Sequence, residues 1–476
     1  MNKVVNSVLW KLMERLSVQG INLVVQIVLA RILLPSDFGS LAIVVAITNY
    51  ASIFVQSGLS AAIVQKKEID EMDINTLYTA SMAVAAVLYV VLFFLSPYIA
   101  KLYELPTLVW GIRCLAVVLF LNAINSIQNA IYSRRMDFKR IFYKTLIAVV
   151  VSGIVGVVMA IYGCGVWSLI VHNIVNVFVL VIAMGWKSGH KLRFGFSWNS
   201  AKKLYSFSLK ILFTSVITGL YDMLRTMLIG KRYSSDDLAY YDKAYTYSGY
   251  VTNISTQTIT GVLLPTFSRA QEKKDQLKSM ARTSTSVTAF IMLPILLGIA
   301  SVAREAVVLL LTQKWAMCVE FLVIFCILRL PVTLVSIDRQ IYYALGFSGI
   351  NLIYEMFFCF INIMVLLVTL RYSVYSIAIG AMIVEFVGMI AIFIVSKKVY
   401  GYRIRERIAD IIKPSIGAVL MALATVPVGY AVDNILLSLI VKVCVGAAVY
   451  IVVMFLLRDS NIISATKKLK SIVTKK

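Results

Sequence analysis

The chain has 476 residues, 60% of them hydrophobic and only 14% charged, with a mean hydropathy of +0.87. Soluble domains run nearer ~45–50% apolar and ~25% charged, so a soluble enzyme of this length, which needs polar outer faces, is excluded. The net charge of +23 has two readings, nucleic-acid binding or the lysines and arginines that collect in cytoplasmic loops of membrane proteins, and position along the chain decides between them.

Apolar runs long enough to cross a ~30 Å hydrocarbon layer as helices recur along the whole chain. They predict an all-α membrane protein with about fourteen spanning helices, at residues 8–31, 39–64, 76–100, 107–132, 142–162, 166–186, 203–230, 239–266, 281–302, 318–345, 350–370, 374–396, 411–432 and 435–457. The first run carries Lys11, Glu14 and Arg15 and lacks a small-residue cleavage site, so it reads as a retained span and not as a cleavable signal peptide. The eighth is unusually polar, and the division between the tenth and eleventh rests on Gly346 and Gly349.

With the N-terminus inside, thirty of the 46 basic residues fall in inner segments, in clusters such as Arg134–Lys144, Arg269–Arg282 and Lys397–Lys413 and in the C-terminal tail. Seven fall outside: Arg31, Lys101, Lys231, Arg232, Arg304, Lys314 and Arg371. An even number of spans with both termini cytoplasmic gives that asymmetry, so nucleic acid is not needed to explain the charge. The outer loops are too short to form a domain of their own.

The first and seventh helices share a pattern. Lys11, Arg15, Gln19, Asn22 and Gln26 step by three or four and fall within about 80° of arc, a polar stripe on an apolar helix. Lys210, Thr214, Thr218, Tyr221 and Arg225 repeat the spacing at an offset of 199, which also carries Ser36-Asp37 onto Ser235-Asp236. An offset spanning six helices implies a parallel repeat, with a substrate path near the midplane between halves. The expected domains are residues 1–200 (six helices), 201–400 (six helices), and 401–476 (an appended helix pair and basic tail).

Ionisable groups inside spans cost roughly 2.5–3.5 kcal/mol on insertion scales and normally face a cavity or a partner. Lys11, Asp338 and Arg339 lie within two turns of the cytoplasmic side, where snorkelling or a structural ion pair accounts for them. Glu14 and Arg15 lie deeper and could pair with each other. Asp222 and Arg225 are candidates for substrate contact, and Asp222 and Glu385 for ion coupling. Asn49 and Gln56 in the second helix, and Tyr245, Asn253 and Gln257 in the eighth, extend the polar surface. Tyrosine rings and amides suit sugars, because rings stack on pyranose faces and amides bond hydroxyls. The candidate substrate surface is therefore Glu14, Arg15, Gln19, Asn22, Gln26, Asn49, Gln56, Lys210, Asp222, Arg225, Tyr245, Asn253 and Gln257. No P-loop, H-E-x-x-H or G-x-S-x-G occurs, the six cysteines include no C-x-x-C, and there are two histidines. No catalytic residue, metal or cofactor is expected.

Four segments carry a family resemblance: Ala30-Arg31-Ile32-Leu33-Leu34-Pro35-Ser36-Asp37-Phe38-Gly39, Gly58-Leu59-Ser60-Ala61-Ala62-Ile63-Val64-Gln65, Arg134-Arg135-Met136-Asp137-Phe138-Lys139 and Pro265-Thr266-Phe267-Ser268-Arg269. Together they resemble the polysaccharide transporters of the multidrug/oligosaccharidyl-lipid/polysaccharide flippase superfamily, similar to teichuronic-acid, capsule and colanic-acid exporters. The resemblance implies a V-shaped pair of six-helix lobes. By alternating access these would move a polyprenyl-diphosphate-linked oligosaccharide from the cytoplasmic to the outer leaflet of the bacterial inner membrane. It implies a non-enzyme, expected to be monomeric, with membrane lipids and a polysaccharide polymerase or ligase of the same pathway as partners. The alternatives are a lipid II flippase and a multidrug or cation antiporter of the same superfamily. The antiporters usually have twelve helices and acidic residues in the first lobe, where this chain places Arg15 and Gln26. A membrane polymerase or glycosyltransferase would usually carry a large outer loop, which this chain lacks.

Overall fold

The computed structural model describes residues 3–56, 63, 69–186, 192–271, 273–459, 461 and 462. Its helices in chain order are α1 (Lys3–Ile32), α2 (Pro35–Gln56), α3 (Glu71–Tyr103), α4 (Thr107–Ala116), α5 (Val118–Arg134), α6 (Phe138–Ile161), α7 (Val166–Gly185), α8 (Trp198–Arg232) and α9 (Ser235–Arg269). They continue with α10 (Lys274–Ser301), α11 (Ala303–Leu311), α12 (Cys318–Ala344), α13 (Ser348–Thr369), α14 (Val374–Tyr400), α15 (Ile404–Thr425), α16 (Val428–Ala431) and α17 (Ile435–Leu456). Among the described residues thirteen helical stretches are long and apolar enough to span a bilayer. The protein is a multi-pass membrane protein. The eighth expected span is a helix of 35 residues, α9, whose polarity keeps it out of the thirteen.

Helix ends follow local chemistry. Ser373 and Asn434 accept hydrogen bonds from the first free amides of α14 and α17, supplying partners that a helix N-terminus lacks. Pro97, Pro294, Pro331 and Pro414 sit inside helices, which spans tolerate because neighbouring groups satisfy the freed carbonyls.

Contacts divide the chain into two compact units, Met1–Asp242 and Lys243–Lys476. In the first, α6 packs on α7 and α1, and α8 packs on α2 and α3. The seventh span, which opens the second repeat by sequence, is thus held in the first unit. Tyr103 donates to Met227 O at 2.8 Å and Lys231 Nζ to Leu102 O at 2.5 Å, fixing α8 to the end of α3. In the second unit α10 packs on α12 and α15, α12 on α14, and α15 on α17. The C-terminal helix pair is therefore built into this unit through α10.

Local geometry carries the repeat, with a corrected register. Leu34 N–H donates to Asp37 Oδ2 at 3.2 Å where α2 begins, and Ser234 N–H donates to Asp237 Oδ2 at 3.3 Å where α9 begins. The offset here is 200, so Asp37 corresponds to Asp237 and not to Asp236. The capping carboxylate must stand three residues past the cap, and that requirement fixes the register where residue type alone does not. Further on, α5 and α12 end alike. Met136 (φ +56°) and Gly346 (φ +78°) are left-handed. Asp137 N–H reaches Tyr132 O and Phe347 N–H reaches Tyr342 O, the closing bonds of a Schellman cap. Both tyrosines then donate to a carbonyl of the helix after next, Met184 for Tyr132 and Ile392 for Tyr342.

One buried network orders the second unit. Arg407 on α15 holds Asp338 on α12 through Nη1 at 2.9 Å and Nη2 at 2.5 Å, both side chains 1% exposed. Ser396 donates to the same carboxylate at 2.6 Å and Tyr400 donates to it as well, while the guanidinium lies 4.2 Å from Phe393 and 4.1 Å from Tyr402. Beside it Arg282 grips Asp410 with two bonds of 2.8 Å, and Lys278 meets Glu406 at 2.8 Å. Tyr402 donates to Asp410 at 2.7 Å. Burial and that bond hold its phenol well above the usual range, so it stays a donor. Removing one partner of a buried pair costs about 3–5 kcal/mol, while an apolar replacement of both is often neutral. Asp338→Asn is therefore expected to lower the thermal unfolding midpoint of the purified protein sharply, and Asp338→Leu with Arg407→Met to restore most of it. Equal midpoints for Asp338→Asn and the parent contradict the network's role.

Candidate functional site

In the first unit, Glu14, Arg15, Gln19, Asn22 and Gln26 are half-buried along α1. The α6-facing side of α1 is marked by Val25, which a Cβ at Gly153 would strike, and by Trp10, 5.6 Å from the Phe142 ring. Exposed Met13, Leu16 and Val24 mark the apolar face. The polar stripe lies between these two faces, so it is neither packed away nor turned to lipid. Lys11 stands 5.1 Å over the Phe138 ring, and its charge acts on Glu14 together with that of Arg15. On α2, Asn49 is exposed and Gln56 half-buried, and Ser52 accepts from Asn122 of α5 at 3.2 Å.

On α8 the structure joins Asp222 and Arg225, with Nη1 2.9 Å from Oδ1, but treats them unequally. The Asp222 side chain is 60% exposed and that of Arg225 6%. The Arg225 guanidinium lies 5.5 Å from Tyr221 and 5.6 Å from Tyr241, a stacking that suits a planar cation. The aspartate is therefore the member that a ligand can reach. The Lys210 and Gln257 side chains lie outside the described residues. Helix α8 approaches α2 closely at Gly219, where a Cβ would strike Ile53. Where α2 and α9 begin, a Cβ at Gly39 would overlap the Ser235 backbone.

In the second unit, Tyr245 does more than add polarity. Its carbonyl accepts from Arg329 Nη2 at 3.2 Å and its ring lies 4.4 Å beneath that guanidinium. Gly249, one turn on, leaves the space Arg329 occupies. Asn253 is exposed. Arg339 on α12 pairs with Glu355 on α13 at 2.9 Å. Glu385 on α14 is half-buried, and the charges of Arg339 and Arg329 both act on it. This set of two arginines and two glutamates on three neighbouring helices extends the candidate site. Of these four, sequence reading took Glu385 as a candidate and Arg339 as a shallow charge, because one-helix periodicity does not show that three helices present their charges to one another. The signal was present in their recurrence over consecutive spans.

These surfaces offer guanidinium groups, amides, phenols and reachable carboxylates, a chemistry that binds phosphate and hydroxyls. A family model described as "Polysaccharide biosynthesis protein" matches residues 28–320. The succinoglycan biosynthesis transport protein ExoT of Rhizobium meliloti is 23% identical over 66% of this chain, a match spanning 63% of that protein, under two thirds of its length. The lipopolysaccharide biosynthesis protein WzxC of Escherichia coli K12 is 24% identical over 91% of this chain and 88% of its own. Among solved structures, the lipid II flippase MurJ in an inward closed conformation superposes with a TM-score of 0.76 at 13% identity, over 96% of this chain and 99% of that one. That likeness speaks to the fold.

Two substitutions separate binding from structure on α8. Asp222→Asn is expected to leave stability within about 0.5 kcal/mol, as exposed positions do, while reducing export of the cell's surface polysaccharide. Arg225→Ala, at a buried hydrogen-bonding position, is expected to cost about 1–3 kcal/mol. Unfolding midpoints and surface glycan measured on the same strains check both.

Proposed function

The chain belongs to the polysaccharide biosynthesis protein family, and from that premise we propose that it moves polyprenyl-diphosphate-linked oligosaccharide units from the cytoplasmic to the outer leaflet of a bacterial inner membrane. The observation that carries the reading is α9. It has the length of a span yet bears tyrosines, threonines, asparagine and glutamine from end to end. Such a helix is tolerated at membrane depth where it meets protein or water and not lipid. A sugar chain needs such a surface and an apolar drug does not.

The substrate surface we propose comprises Glu14, Arg15, Gln19, Asn22, Gln26, Asn49, Gln56, Lys210, Asp222, Tyr245, Asn253 and Gln257, with the buried Arg225 holding Asp222 in place from behind. Arg15 and Lys210 neutralise the diphosphate, the amides and phenols take the sugar, and the prenyl tail stays in the bilayer. Asp222 and Glu385 are the groups proposed for ion coupling. The proposed mode of movement is alternating access, with both termini in the cytoplasm. The protein performs no covalent chemistry in this account, acts as a monomer, and hands its cargo to a polymerase or ligase.

A deletion strain tests the reading. Polyprenyl-linked repeat units should accumulate on the cytoplasmic face and the matching surface polysaccharide should disappear, with peptidoglycan synthesis and drug tolerance unchanged. Unchanged glycan with altered drug sensitivity sinks it in favour of an antiporter. Arrested peptidoglycan synthesis sinks it in favour of lipid II.

A further inference from the structure

Between α7 and α8 the chain crosses the N-terminal turns of α3 as a non-helical strap, residues 192–197. Its odd-numbered residues are tied down. Arg193 N–H donates to Asn75 Oδ1 at 3.1 Å, Gly195 N–H to Thr79 Oγ1 at 3.0 Å, and Ser197 N–H to Thr76 Oγ1 at 3.1 Å. Thr79 Oγ1 also lies 3.0 Å from Gly195 O. Gly195 passes 3.5 Å from the Asn75 Cβ by the position a Cβ would take. Leu192 packs inward against the core beneath α3, and from there on the even-numbered residues turn outward: Phe194 is 73% exposed, Phe196 51% and Trp198 76%. Phe196 and Trp198 lie 6.0 Å apart and Phe194 rests 5.1 Å from Tyr78.

A row of bare aromatic rings is costly in water and wasteful deep in hydrocarbon, where nothing needs the indole N–H. It fits the headgroup level, where tryptophan concentrates. Charge fits too. Residues 187–203 carry five lysines and arginines and no acidic residue, and Arg193 and Lys202 are exposed. Asp70, Glu71 and Asp73 lie at the start of α3, the first two exposed and Asp73 buried, and the five basic residues outnumber them. In the same unit, exposed Tyr98 on α3 and Tyr162 just past α6 each carry a hydroxyl that can hydrogen-bond at an interface. The strap's phenylalanines have no such handle and must enter the leaflet.

We propose that residues 192–198 form an interfacial anchor that binds the headgroup region of a leaflet rich in anionic phospholipid, fixing the connection between α7 and α8 to the membrane surface through α3. The anchor is separate from the transport surface and holds whichever cargo is carried.

The test uses the full chain in vesicles of phosphatidylcholine with or without phosphatidylglycerol, with acyl chains brominated near the headgroup. The difference in tryptophan emission between the parent and Trp198→Phe isolates Trp198. It should be quenched by the shallow bromines, more so with phosphatidylglycerol, and the dependence on phosphatidylglycerol should vanish in Arg193→Ala/Lys202→Ala. Phe196→Trp adds a reporter where the first variant removes one and should gain a quenched component. An unquenched Trp198 difference, or quenching equal in the two lipid mixtures, overturns the proposal.

Discussion

A charge surrounded by hydrocarbon must find its opposite inside the protein, and the second unit is arranged around that constraint. Asp338 and Arg407 lie on helices separated by two others in sequence, and their ion pair is sealed with Ser396 and Tyr400. The same rule repeats where α17 meets α11: Lys442 reaches Glu305 at 2.5 Å, with both side chains 9% exposed. Gly429 gives that ammonium room. Through these two pairs the C-terminal helices are bonded to α12 and α11, and Arg282–Asp410 and Lys278–Glu406 bond α15 to α10. A helix pair that reads as appended along the sequence is bonded into the unit by the buried charges of Arg407 and Lys442.

Against that background the unpaired or reachable charges stand out. Desolvating an ion costs several kcal/mol unless a partner offsets it, so a transporter can keep open to a ligand only those charges that water also reaches. Asp222 fits that description and Arg225 does not, although both belong to one ion pair. The half-buried stripe on α1 fits as well. The division sorts the intramembrane charges by exposure: sealed pairs hold helices together, and the open ones are those we propose to meet cargo.

Much of this was legible in the sequence. Long apolar runs located the spans, and α9 was identified as a helix despite its polarity, because its length and spacing left no alternative. The polar stripe on α1 was visible because helical periodicity is local, whereas its copy on α8 rests on an offset of 199 that the turn geometry replaces with 200. The turn register was off by one, since a run of Ser235, Asp236 and Asp237 offers two aspartates and only cap geometry chooses between them. A structural ion pair was among the readings of Asp338, and the structure shows one. Its partner, 69 residues away, was invisible, as were the Arg329–Tyr245 stack and the strap across α3, because tertiary pairings leave no period in the chain.

The central claim is that the open charges carry cargo and the sealed pairs carry structure. Purified protein in vesicles loaded with a short polyprenyl-diphosphate-linked oligosaccharide tests it directly, by the rate at which inner-leaflet sugar becomes accessible to a lectin added outside. The account predicts protein-dependent exposure that falls strongly in Arg15→Ala and persists in Asp338→Leu/Arg407→Met. Exposure at the protein-free rate, or exposure lost in the apolar double variant while Arg15→Ala is unaffected, contradicts it.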